Sequence, residues 1–506
     1  MNRLTTTHNT KAISVEALLT LPIEEFCQTV LDHTEQGWRV ICYFGIPVTQ
    51  GVRLVMVLAS QSGPELGLVS GISSESVLPS IAGFRPKLQL YEREIAEQFG
   101  LRFEPHPWFK PVRWQPPLPG YPSAFADQGD RAGDGDFYRV HGDDIHQVGV
   151  GPVHAGVIEP GHFRFQCYGE QVLHLEIALG YQHRGVEQLL PSVHPLQAIR
   201  IAETIAGDSS VAHGTAYAMA CEGLSARDAI SPDAELVRGI GQELERLANH
   251  TGDLGALAGD VGFLPTASYC GRIRGDFLNM TALLCGSRFG RGLVTVGGVV
   301  RIPEQEPVDE LLRRLALAER ELTGAIELLF ATSSVVGRFE EVGVVARESA
   351  SRLGLVGPAA RASGVYRDVR HFRPYGCYHD FVMPVMVQEQ GDVFSRAMVR
   401  WLEAQQSILC IRTLIDQLDL IDQEQASILQ GAMLADHMVV SLVEGWRGEV
   451  CHIAVTGTDG RLVRYKVSDP SFRNWKGLEL ALRGGQISDF PLINKSFNLS
   501  YCGHDL

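Results

Sequence analysis

A carboxylate and two hydroxyls stand together at Asp208, Ser209 and Ser210, a grouping that can hydrogen-bond an acceptor or hand on a proton. The same triplet suits a loop that merely fills a cavity with polar groups and water, and both readings stay open. His154, Glu159 and His162 form a second set, whose imidazoles and carboxylate suit proton transfer or an ordinary loop hydrogen-bond network. Glu243 and His250 share a helix face with Ile240 and Leu247, so both point towards the core. Buried titratable groups at such spacing are proton-path candidates, or a satisfied structural pair. Asp392, Arg396 and Arg400 recur every four residues, which reads as a salt-bridge ladder on a helix. The 10 cysteines are scattered without a CxxC pair, which argues against a local cluster or zinc site and for reduced, buried thiols.

The elements that must position these groups follow from pattern. WRVICYFGIPV and VRLVMVLAS read as strands, and YEREIAEQFG carries helical periodicity. Pro, Gly and Asp crowd the stretch from Pro111 to Asp136, where a domain boundary is expected. HFRFQCYGEQVLHLEIAL alternates on both sides of Gly169, as a hairpin with one buried face does. Ser231 can cap, and Pro232 can open, a helix carrying Leu236, Ile240, Leu244, Leu247 and Leu254. Apolar stripes over Val308 to Phe330 and Ser395 to Leu418 extend a helical bundle, and a second hairpin turns at Thr458, Asp459 and Gly460. The fold class is an α+β N-terminal domain followed by a mainly α-helical domain with β hairpins.

With 506 residues, 45% of them hydrophobic, the chain can build more than one core. A formal net charge of −15 without a dense basic run excludes nucleic acid as a partner. No secretory pattern opens the sequence, and no stretch of about 18 apolar residues occurs, so a membrane link is expected only through partners.

YEREIAEQFGLRFEPHP, with Tyr91, Glu92, Arg93, Glu94, Phe99, Gly100 and His106, resembles the signature of the 30-kDa subunit of respiratory complex I. Further on, GPVHAGVIEPGHFRF, GYQHRGVEQLL, VRASGVYRDVR, EQGDVFSRAMVR and EGWRGE resemble, in order, motifs of the 49-kDa complex I subunit and of membrane-bound nickel-iron hydrogenase large subunits. Fusion of the two is the arrangement of the formate hydrogenlyase large subunit. The resemblance implies a 30-kDa-like domain over residues 1–110, a linker over 111–145 and a 49-kDa-like domain over 146–506.

In those hydrogenases two CxxC pairs supply four thiolates to nickel and iron. Here the first pair falls on Ala206 and Ser209 and the second on Ser500 and Gly503, with Cys502 one position out of register. A methyl group, hydroxyls and a hydrogen do not hold low-valent nickel, so the expectation is a member that has lost the metal site. The complex I tyrosine that donates to the quinone falls where this chain has Gly207 and Asp208.

The resemblance also places His154, Glu159 and His162 at the active cavity, His183 and Arg184 beside the partner's nearest iron–sulfur cluster, and Arg447 over the metal pocket, where, on geometry alone, a pairing with Asp208 is expected. For His183 and Arg184 the alternative is a capping or salt-bridge role with Glu187. Asp208, Ser209, Glu159 and His154 are the expected catalytic residues; His162, His183, Arg184, Glu243, His250 and Arg447 are expected to face the cavity or cluster. The resemblance implies no cofactor held by this chain, iron–sulfur clusters in partner subunits, and a quinone as acceptor. It also implies three kinds of partner: a small iron–sulfur subunit of the complex I 20-kDa type, a ferredoxin-like subunit and antiporter-like membrane subunits. The chain is placed on the cytoplasmic side of the inner membrane. Redox coupling to ion pumping, a non-catalytic scaffold, and a surviving hydrogenase stand in that order.

Overall fold

The computed structural model describes residues 3–49, 51–61, 63–128, 132–133, 136–155, 158–225, 230–419 and 433–506. Residues 129–131 and 134–135 of the expected linker, and 156–157 of the motif GPVHAGVIEPGHFRF, lie outside them.

Branched and aromatic side chains make strands of Arg39–Val48 and Gly51–Ala59, which pair antiparallel with Phe44 opposite Val55. Leu66–Ser73 continues this five-stranded sheet, and helix Ile23–Glu35 seals it with Phe26 and Val30, both wholly buried. Each such side chain contributes about 1.5–3 kcal/mol by leaving water. Helix Gln89–Phe99 ends on Gly100 at φ +69°, the left-handed cap that glycine supplies without strain.

Helix Gln89–Phe99 is also the seam between the two halves. Tyr91 Oη lies 3.1 Å from the Ile41 carbonyl of the first sheet and 2.9 Å from Ser468 Oγ of the last one. Lys466 Nζ donates to Glu94 at 2.6 Å, and Glu97 accepts from the backbone N–H groups of Val112 and Trp114, each at 2.8 Å. The Pro-rich stretch is therefore pinned at its start rather than loose. Residues before it also cross over: Ile13–Ser14 pairs with His437 and Met438 as an edge strand of the last sheet.

In the second half, His162–Tyr168 and Gln171–Ala178 form the expected hairpin, with Gly169 at φ +55°. A third strand, Ile145–Val150, joins it. Its sequence IHQVGV has too few apolar positions to announce a strand by itself.

Ser231 caps helix Pro232–Asp260, its Oγ accepting from Ala234 N at 3.3 Å, with Pro232 in the first turn. This helix packs between Leu264–Cys285 and Val393–Asp416, and Gln305–Ala331 packs beyond. The ladder expected at Asp392, Arg396 and Arg400 does not form, because all three are buried and each takes a tertiary partner. Asp392 accepts from Glu341 N at 3.0 Å, Arg396 donates to Ser496 Oγ at 2.8 Å, and Arg400 donates to Asp253 at 2.8 Å.

The second hairpin is part of a meander, His437–Gly445, Gly448–Thr456 and Leu462–Ser468, turning at Gly460 with φ +72°. Alternation suggests one wet face, yet every residue of Gly448–Thr456 is buried, because helix Ser210–Gly223 lies on it and the seam covers it. Its Glu444, Glu449, His452 and Lys466 must then find internal partners. Among the described residues no single helix is long and apolar enough to cross a membrane; Gln305–Ala331 with Ser333–Phe339 reaches that length and composition only as a pair bent by 77°.

Candidate functional site

The tight turn between Gly445 and Gly448 presents Trp446 and Arg447 to the loop before helix Ser210–Gly223. Arg447 holds Asp208 with both ends of its guanidinium, Nη1 to Oδ1 at 2.6 Å and Nη2 to Oδ2 at 2.7 Å. Its Nε donates to the Asn498 carbonyl at 2.6 Å, and its plane lies 3.9 Å from the centre of the Trp446 ring. Trp446 Nε1 and Asn249 Nδ2 both donate to the Asp208 carbonyl, each at 2.9 Å. Burial pushes the Asp208 carboxyl up, but the Arg447 guanidinium outweighs it and holds it below its usual range. At neutral pH Asp208 is an anion and a poor proton donor. Ser209 Oγ lies 3.4 Å from Arg447 Nη1, whereas Ser210 Oγ turns away to the Glu203 carbonyl at 3.1 Å.

The chain's last turn closes one side of this loop. Arg184 donates to the carbonyls of Thr204 at 2.6 Å, Ile205 at 3.1 Å and Cys502 at 2.9 Å, stapling the Asp208 loop to residues 498–506. His183 Nδ1 donates to the Asp505 carbonyl at 2.8 Å. Neither side chain pairs with Glu187, which is buried and taken by Lys466 at 2.8 Å. Glu159 lies beside Cys502, whose thiol is pushed up to about 11 by burial and by that carboxylate. His154 Nε2 donates to the Gly161 carbonyl at 3.0 Å and His162 Nδ1 to the Gly151 carbonyl at 3.1 Å, a crosswise pair that locks the lip of the site. The structure thus gathers Asp208, Ser209, Arg447, Arg184 and Glu159 around the C-terminus, with His154 and His162 as loop locks.

Glu243 and His250 lie behind this face, wholly buried, and do not meet each other. Glu243 accepts from Tyr378 Oη at 2.6 Å, Ser407 Oγ at 2.5 Å and Arg370 Nη1 at 3.0 Å. Burial would raise its carboxyl, but Arg246 and Arg370 hold it down at about 2. His250 Nε2 donates to Glu403 at 2.8 Å, and burial keeps the ring below its usual value despite that carboxylate. The connection to the front is Arg246, which donates to the carbonyls of Glu444 at 2.7 Å and Gly445 at 3.1 Å, at the base of the Trp446–Arg447 turn. Nearer the loop, Glu245 accepts from the N–H groups of Val211 and Ala212 at 2.7 and 3.2 Å.

One buried chain escaped the sequence reading. Asp469 Oδ2 lies 3.1 Å from His213 Nε2, His213 Nδ1 lies 3.0 Å from His452 Nε2, and His452 Nδ1 lies 2.8 Å from Tyr465 Oη. With both rings neutral, one arrangement satisfies every link: Tyr465 donates to His452, His452 to His213, and His213 to Asp469. Burial, with His213 as neighbour, holds His452 well below its usual value. His213 lies in the segment AHGTAY directly after the Asp208 loop, and His452 sits within a strand whose alternation gives no sign of a buried polar partner.

Asp469 borders Ser500 and Gly503, two of the positions that the resemblance aligns with hydrogenase thiolates. A Cβ placed on Gly503 would come 2.7 Å from Asp469 Cγ, and Ser500 Oγ is occupied as the cap of the last helix, accepting from Gly503 N at 2.9 Å. Ala206 and Ser209 complete that set, both buried.

The chain matches two family patterns: the respiratory-chain NADH dehydrogenase 30-kDa subunit over residues 22–124, and the 49-kDa subunit over 260–434 and 419–505. It is 32% identical over 356 residues to the carbon monoxide-induced hydrogenase of Rhodospirillum rubrum, covering 70% of this chain and 97% of that protein. NADH-quinone oxidoreductase subunit 4 of Thermus thermophilus is 31% identical over 380 residues, covering 70% and 92%. Formate hydrogenlyase subunit 5 of Escherichia coli is 29% identical over 362 residues, covering 70% of this chain and 62% of its own length.

Proposed function

Because this chain belongs to the family of the complex I 49-kDa subunit and the membrane-hydrogenase large subunits, here fused to a 30-kDa-type module, we propose that it is a subunit of a membrane-associated oxidoreductase complex. In this reading it walls a cavity where a quinone accepts electrons delivered through iron–sulfur clusters of partner subunits, and the redox change is coupled to ion pumping. The partners are a small iron–sulfur subunit, a ferredoxin-like subunit and antiporter-like membrane subunits, with the chain peripheral on the cytoplasmic side of the inner membrane. Residues 1–110, 111–145 and 146–506 are the proposed module boundaries.

The observation that carries the reading is the Asp208–Arg447 pair where the hydrogenase pattern has its metal pocket. A nickel-iron centre does not fit this donor set: a methyl, two hydroxyls and a glycine with no room for a Cβ offer no soft ligand. The face suits an organic acceptor better. The Ser209 hydroxyl, now donating to Asp208 Oδ1 at 3.4 Å, and the protonated Cys502 thiol, now held by Glu159, are donors that an acceptor can recruit, and the Arg447 guanidinium stabilises negative charge developing on an acceptor oxygen. Asp208, held as an anion, acts here by positioning Arg447 and not by giving up a proton.

The scaffold reading draws on the same pair, since Arg447, Trp446 and Asn249 satisfy Asp208 without any ligand. The purified complex separates the two: quinone reduction that a quinone-site inhibitor abolishes supports the cavity, and an assembled complex that reduces no quinone supports the scaffold.

A further inference from the structure

Away from that face, a cleft of about 310 Å³ opens at the seam, between Arg39, Ser60 and Gln61 of the first half and residues 347–373 and 444–449 of the second. Its carboxylates are already spoken for. Glu449 binds both Arg39, at 2.7 Å from Nη1, and Arg473 at 2.9 Å. Asp368 is gripped by Arg370 at 2.6 and 3.0 Å, and Glu444 by Arg361 at 2.7 Å. Among the described residues, the remaining cations of the wall have no carboxylate within ion-pair distance. Arg373 is 5% exposed; it spends Nη2 on the carbonyls of Ser60 and Gly63, and its Nε is buried without a partner. Arg367, partly exposed, makes no side-chain hydrogen bond or ion pair with the described residues, and Arg347 stands exposed at the rim.

A donor left bare in the interior is costly, as at Arg373 Nε, and a partly exposed guanidinium such as Arg367 with no ion-pair partner leaves its charge open to a ligand. Burial, with Arg39 and Arg373 as neighbours, pulls Arg367 down to about 9 against the opposing pull of Glu449, and burial with Arg39 pulls Arg373 down to about 10 against Glu449 and Glu65. Such a wall is completed by an anion with several acceptor oxygens. Tyr366, half-exposed at the mouth and edge-on to Phe372, adds an aromatic surface beside it. The volume lies at the lower end of small-molecule sites, too large for a lone halide and suited to a phosphorylated small molecule.

We propose that this seam cleft is a binding site for a small phosphate-bearing anion, with Arg367 as its uncommitted donor and Arg373, partly committed to backbone carbonyls, as the second cation beside it. The geometry makes Arg367 the discriminating residue, because its side chain supports nothing else. Removing its charge relieves repulsion in the free protein and weakens the ligand. The site would act on the redox face indirectly, since Glu449 stands two residues from Arg447 on the same turn and strand, and Gly357 of the cleft wall packs on the Arg447 carbonyl.

The test is calorimetric titration and thermal melting of the full chain with its partners, using pyrophosphate and ADP at constant ionic strength, with sulfate and adenosine as controls. Pyrophosphate or ADP should bind and raise the melting temperature. Arg367→Gln should weaken that binding by at least about tenfold while leaving the ligand-free melting temperature unchanged or higher. Three results overturn the proposal: no binding at millimolar pyrophosphate or ADP, equal affinity in Arg367→Gln, or a partner's carboxylate side chain found in the cleft of the assembled complex.

Discussion

Arg447 grips both carboxylate oxygens of Asp208 while its Nε holds the Asn498 carbonyl, so one guanidinium joins the loop before helix Ser210–Gly223 to the chain's last segment. The pair acts as a unit, and the variants should say so. Asp208→Asn and Arg447→Gln should each lower quinone reduction by the assembled complex, by about tenfold or more, and the double variant should be no slower than the worse single one. Rates and subunit stoichiometry must be read together. Independent, multiplying losses would separate the two roles, and parental rates in both variants would favour the scaffold.

Gly503 is held bare by Asp469. Gly503→Ala puts a Cβ 2.7 Å from the Asp469 carboxyl, which cannot swing aside because His213 and Ser471 N both hold it. The expected cost is about 1–3 kcal/mol, seen as a lower melting temperature. For the same reason, restoring cysteine at 206, 209, 500 and 503 should not restore nickel: elemental analysis after chelation should stay far below one nickel per chain, in the variant as in the parent. Stoichiometric nickel with hydrogen uptake in the parent would overturn the reading of this pocket.

Two buried glutamates give stability opposite pH slopes. Glu243 sits at about 2 in the fold against 4.5 unfolded, so its contribution, about 3 kcal/mol, is complete above pH 4.5 and disappears as pH falls towards 2. Glu245 is raised by burial to about 8, so it binds a proton that the unfolded chain has lost, and stability drains as pH rises from 4.5 to 8. Glu243→Gln leaves Arg246 and Arg370 short of charge inside the core and should cost about 3–5 kcal/mol at pH 7. Glu245→Gln should flatten the loss above pH 6. Denaturant melts at pH 3, 6 and 9 check both slopes.

Local elements were legible because their signals are local. Ser231 and Pro232 announce a helix start, Gly460 a turn, and the stripes over 308–330 and 395–418 reappear as helices within a few residues. Asp208 with Arg447 was reachable only through the resemblance, as the two are far apart in sequence. The ladder at Asp392, Arg396 and Arg400 failed because four-residue spacing marks one helix face and not whether that face is wet. The alternative partner offered for His183 and Arg184, Glu187, is taken elsewhere for a related reason: Lys466 comes to it from a strand, across a seam that no sequence period encodes. His452 and Tyr465 lie on neighbouring strands, and only register brings them together.

The segment before Glu159 carries Val153, 91% exposed, and Ile158, 56% exposed, on the rim of the face that bears Asp208 and Arg447. Two bare branched side chains beside a half-buried acid are poorly matched to water and well matched to the core of an interface. The small iron–sulfur subunit is the proposed occupant, so the chain expressed alone should be poorly soluble and co-expression should rescue it. Val153→Asp and Ile158→Asp sharpen the test. In the isolated chain both are surface changes and should move its melting temperature by no more than about 0.5 kcal/mol equivalent. In the complex, a charge placed in a desolvated contact should weaken association by about 10–100-fold, read by pull-down against the small subunit and by titration. If both aspartate variants bind the small subunit as the parent does, it docks elsewhere, and the face bearing Asp208 and Arg447 is not the shared wall of an electron-transfer cavity.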